Sequence, residues 1–76
     1  MMRAITELEH TVRAVEITEL HSTVAAHAAV QVVDSDTLVV VMFHGHHTAI
    51  VEQALQNQPL GTKEITSARD IITLRI

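Results

Sequence analysis

Seventy-six residues make one small domain, residues 1–76, and without cysteine it has neither a disulfide framework nor a thiolate metal site. Nine acids against five bases give a net charge of −4, and the bases (Arg3, Arg13, Lys63, Arg69, Arg75) are scattered, which excludes the basic patch and stacking aromatics of a nucleic-acid binder. No stretch approaches the ~20 apolar residues that cross a bilayer, and the N-terminus lacks the basic-then-apolar order of a secretory signal, so the sequence predicts a soluble cytoplasmic protein with no membrane partner.

Residues 4–20 read as a helix. Ile5, Leu8, Val12 and Val15 recur at three- and four-residue steps and share a face. Thr6 followed by Glu9 fits a capping box. Thr11 to Thr18 is rich in β-branched residues, however, and Ile17 falls off the stripe, so a strand from Val12 to Leu20 is the alternative.

Residues 22–33 alternate as a half-buried strand does. Val24, Ala26, Ala28, Val30 and Val32 point one way; Thr23, Ala25, His27, Ala29 and Gln31 point the other. The alanine-rich stretch Ala25 to Ala29 is also compatible with helix. Asp34-Ser35-Asp36 is a polar turn. Thr37 to Phe43 is a second strand, apolar on both faces, as befits a central position. Taking Asp34 to Asp36 as a three-residue loop pairs Val33 with Thr37, His27 with Phe43 and Ala26 with His44.

Residues 47–57 read as a second helix with Ile50, Val51, Ala54 and Leu55 buried, ended by Pro59 and Gly61. Lys63 to Ser67 and Asp70 to Ile76 read as extended chain. The order is α, β, β, α, β. With Met1 to Ile5 as an extra strand it becomes βαββαβ, the ferredoxin-like order of an α+β two-layer sandwich, with two helices on a mainly antiparallel sheet.

The chemistry concentrates in Phe43-His44-Gly45-His46-His47-Thr48, where strand gives way to helix. His44, His46 and His47 are candidate ligands for zinc or nickel, because neutral imidazole suits those ions. Gly45, His46, His47 and Thr48 are the candidate contacts for a small anionic ligand, since the first N–H groups of a helix lack internal partners. A zinc site needs three or four ligands, which His10, His21, His27, an acid or a second subunit would have to complete. His10 and His21 share a face of the expected helix but lie too far apart for one ion. The hairpin register places His27 and His44 on opposite faces, so any fuller site is expected to cross a subunit interface.

Catalysis is not expected. Ser22, Ser35 and Ser67 have no nucleophile context, the turn explains Asp34 and Asp36, and His44 or His46 as a general base lacks a partner. Hydrophobic residues make up 47% of the chain, yet it has no Trp or Tyr and one Phe, so the core is aliphatic and thin. Small unstapled domains of this kind gain stability by association. The sequence therefore reads as a homo-oligomeric interaction or ligand-binding module without a resident cofactor. A histidine metal site, within or between subunits, is the alternative.

Overall fold

A computed structural model describes residues 2–76, with side chains from residue 5. Helix α1 spans Met2–Ala14 and buries Ile5, Leu8 and Val12. Residues 2–5 are thus helical, Thr6 lies inside the helix rather than at its cap, and Met1 lies outside the described residues. The helix stops six residues before the expected end at residue 20. The reason is Ile17: continued helix would place it about 140° round from Val12, away from the core. Leaving the helix lets Val15 and Ile17 alternate inward instead, and both are buried.

Strands β1 (Glu16–Ile17) and β2 (Ser22–Thr23) form a small antiparallel pair, Glu16 opposite Thr23. A 3₁₀ turn at Thr18–Leu20 joins them and closes on His21, whose φ of 53° is left-handed. His21 is therefore not on the helix face of His10. The expected strand 22–33 is broken by a second 3₁₀ turn, Val24–Ala26, so the helical tendency of the alanines survives as a single turn.

The main sheet contains β3 (Ala28–Asp34), β4 (Thr37–Met42), β5 (Glu64–Ala68) and β6 (Ile71–Arg75), in the order β3-β4-β6-β5 and wholly antiparallel. Strand β4 is central, as its two apolar faces require. The expected register holds along the β3–β4 ladder, from Ala28 opposite Met42 to Val32 opposite Leu38, and the Phe43 N–H extends it to the His27 carbonyl at 2.9 Å. At the turn a bulge at Val33 brings Asp34 opposite Thr37, leaving a two-residue loop.

The ferredoxin-like order is not adopted. No strand precedes α1 among the described residues, and the C-terminal segment supplies a hairpin, β5–β6, rather than one strand. Its turn is Arg69-Asp70, with Arg69 at φ 58°. A non-glycine residue pays roughly 1–2 kcal/mol there. Arg69→Gly is accordingly expected to raise stability by up to about 1 kcal/mol, after the extra entropy of glycine in the unfolded chain is subtracted. Urea denaturation of the two proteins checks this.

Helix α2 (Thr48–Gln56) buries Thr48, Val51 and Leu55 and packs on β5 and β6, while α1 packs on β3 and β4. Both lie on one side of the sheet, over Ala28, Val30, Leu38, Val40, Ile72 and Leu74. Among the described residues no helix covers the other side. There Ala29, Val41, Ile71 and Ala68 form one cross-strand row, and Gln31, Val39, Thr73 and Thr66 form the next. None of these eight is buried, and Ile71 is 41% exposed. Phe43 continues the alternation past Met42 and is 60% exposed.

The outer edge is treated differently. The Phe43 and Met42 N–H groups point to β3 and β6 respectively, so Val30, opposite Val40, turns its own N–H and C=O outward. Arg13 Nη2, fixed by Glu9 Oε2 at 2.8 Å, donates to the Val30 carbonyl at 3.2 Å. A cation on an edge acceptor discourages strand addition there. Among the described residues no helix is long and apolar enough to cross a membrane.

Candidate functional site

Four imidazoles gather where β4 ends and α2 begins. A 3₁₀ turn, Gly45–His47, leads the chain into α2 and sets His47 beside the second 3₁₀ turn, which ends at His27, with His46 against His47. The His46 and His47 ring centres are 4.1 Å apart, those of His44 and His46 are 5.9 Å apart, and those of His27 and His47 are 5.6 Å apart with the rings perpendicular. His44 and His46 are exposed; His27 and His47 are half-buried.

His27 is the member the sequence did not place. The register argument set it only against His44 and assumed extended chain. In the structure the end of the ladder holds His27 opposite Phe43, and the two tight turns bring the His27 and His47 rings together. Ser22 comes with it: its Oγ lies 2.5 Å from His27 Nε2 and donates to the Leu20 carbonyl at 3.1 Å. With the Ser22 proton on the Leu20 carbonyl, Ser22 Oγ accepts from the imidazole, and His27 Nε2 carries the hydrogen. His27 Nδ1 is then the nitrogen with the free lone pair. His47 Nδ1 is buried and has no hydrogen-bond partner.

The sequence trio His44, His46 and His47 is brought together. Yet among the described residues no three His, Asp or Glu side chains already converge on a metal position. His46 and His47 lie too close, ring on ring. Asp70 is the acid beside this loop; a Cβ added to Gly45 would lie 3.6 Å from Asp70 Cβ.

The anion contacts fare differently. The His47 N–H donates to the His44 carbonyl at 3.2 Å and the Thr48 N–H to that of Gly45. Buried Thr48 also gives its hydroxyl proton to the Gly45 carbonyl at 2.7 Å. The 3₁₀ turn thus spends the His47 and Thr48 donors on the chain's own carbonyls. A hollow of about 300 Å³ lies elsewhere, walled by Gln56, Pro59, Leu60, Thr62, Lys63 and Glu64, without a histidine.

Electrostatics sets His47 apart. Desolvation pushes its imidazole below the usual range, and protonated His46, His27 and His44 would push it further. Folded His47 therefore refuses a proton that the unfolded chain accepts. Its contribution is present above the ordinary imidazole range, near pH 6.5, and is lost as pH falls below it. We expect the urea midpoint to drop between pH 7.5 and pH 5.5 more in wild type than in His47→Gln. Equal drops would place the pH sensitivity elsewhere.

No family model matches the chain, and no curated protein does. The site is read from its own geometry.

Proposed function

We propose that the chain works as a small self-associating binding module without catalytic activity, and that a second copy docks on the open side of its sheet. The observation that carries this is the one-sided helical layer. It leaves Val39, Val41 and Ile71 in an apolar band across strands β4 and β6, with Phe43 and Ala29 beside it. A sheet with an apolar band on its uncovered side is the half of a sandwich, and two such sheets stack about 10 Å apart.

A second copy fits this surface better than an unrelated partner does. The band runs across the strands toward the end of the face opposite Glu64 and Arg75, and a two-fold rotation about an axis through it lays it on its own copy. Glu64 and Arg75 face each other across β5 and β6 at one end, and no ion pair joins them among the described residues. Each copy thus brings both signs to the margin of the interface. Strand lengths and spacings give a footprint of roughly 350 Å² in plan. A standard interface buries about 800 Å² per partner, so the contact is a modest one, with association in the micromolar range. The histidine cluster lies at the end of the same sheet, which leaves it open in the assembly.

The test is absolute mass by light scattering from about 5 to 200 µM, in EDTA, with refractive-index detection because the chain has no Trp or Tyr. Mass rising to twice 8.4 kDa supports the reading. A monomer at every concentration overturns it.

A further inference from the structure

We propose that His27, His47 and His46 form a binding site for one divalent transition-metal ion of the zinc, nickel or copper class, with Ser22 as the group that orients His27. The ligand set differs from the contiguous trio His44, His46 and His47, because His27 enters from another turn and His44 is left out.

Three observations carry it. The first is spacing. Two imidazoles sharing a tetrahedral ion through bonds of about 2.1 Å have ring centres about 5 Å apart. The His27 and His47 rings stand 5.6 Å apart and perpendicular, so a small side-chain adjustment suffices. The second is the tautomer. A metal-bound histidine usually donates its other N–H to a fixed acceptor, which aims the ring and makes it a better ligand. Ser22 Oγ stands at hydrogen-bond distance from His27 Nε2 and from the Leu20 carbonyl, so it can serve as that acceptor when its own proton goes to Leu20, which turns His27 Nδ1 to the ion. The third is the orphaned His47 Nδ1. A buried polar atom without a partner is uncommon, and a bound ion beside the ring would give this histidine a role.

His46 supplies the third ligand. Its ring now rests on His47 at 4.1 Å, too close for both to bind one ion. His46 is exposed, so rotation about its side-chain bonds carries it outward without disturbing the core. His44 is 5.9 Å from His46 and has no ring contact with His27 or His47, so it is left out of the set. Water or an external group completes the coordination, as in open zinc sites. The site lies within one chain and does not depend on self-association.

The experiment is calorimetric titration of the metal-free protein with Zn²⁺ at pH 7.5. Wild type is expected to bind one ion per chain. His27→Ala is expected to weaken binding at least tenfold and Ser22→Ala roughly tenfold, through loss of the acceptor that aims His27, while His10→Ala and His44→Ala stay within about twofold of wild type. Unchanged affinity in His27→Ala overturns the proposal, as does absence of binding by wild type below 1 mM. Since a variant can fail to fold, imidazole ¹⁵N shifts are followed in wild type itself. Movement at His27, His46 and His47 supports the site; movement confined to His10, His21 or His44 overturns it.

Discussion

Leu74→Ala is expected to lower stability by about 2–5 kcal/mol, the cost of a cavity that the core cannot close. Leu74 is fully buried on β6, between Leu38 of β4 and Ile65 of β5. It therefore holds three strands of the sheet under the helical layer. A folded chain of 76 residues has about 4–11 kcal/mol in all. One truncation removes a large part of that margin and leaves the variant partly unfolded near body temperature. Val33→Ala gives the contrast. Val33 sits in the bulge, 60% exposed, and its loss is expected to stay within about 0.5 kcal/mol. Urea denaturation followed by far-ultraviolet circular dichroism measures both. Similar costs would mean that the core has been assigned to the wrong side of the sheet.

The second large effect separates the two sides of one strand. Val41 and Val40 are neighbours in sequence and face opposite ways. Val40 is fully buried, and Val40→Glu sets a carboxylate in the core without a partner, a cost of several kcal/mol that exceeds what the fold can bear. Val41 lies in the apolar band between Ala29 and Ile71. Val41→Glu is expected to keep the monomer folded, with a melting temperature close to that of wild type, and to weaken association by at least about a hundredfold, because the charge would be buried only in the assembly. Unfolding of Val41→Glu would show that the band is already covered. Assembly like that of wild type would move the interface to another surface.

Much of the sheet was legible because strand patterns are local and period-two. The two apolar faces of Thr37 to Phe43 fixed its central place, and the polar turn at Asp34 to Asp36 set a register that holds over five consecutive pairs. The second helix follows its Val51 and Leu55 spacing to within a residue of the expected ends. The first helix was legible in its stripe and not in its end. The residues from Thr11 to Thr18 suit helix and strand about equally, and only burial of Ile17 against the second helix decides between them. The last hairpin was hidden for a related reason: its turn is Arg69-Asp70, without the glycine or asparagine that marks a left-handed position.

The candidate site was half legible. Contiguity reveals that His44, His46 and His47 lie together. It says nothing of His27, whose approach depends on a 3₁₀ turn inside a segment that alternates like a strand throughout. Ser22 gave no signal, because a serine five residues from a histidine is ordinary in any chain. The hydrogen bond that makes it relevant exists only once the turn has formed.

The guanidinium of Arg13 on the Val30 carbonyl has a consequence for how copies of this chain can accumulate. Growth through a bare strand border has no natural end, since each newcomer presents a fresh border to the next. Pairing through a sheet's broad side is self-limiting: once two copies meet, neither has a broad side left. If copies pair through the face as proposed, the arginine, by obstructing the first route at β3 and leaving the second open, would favour closed pairs over fibres.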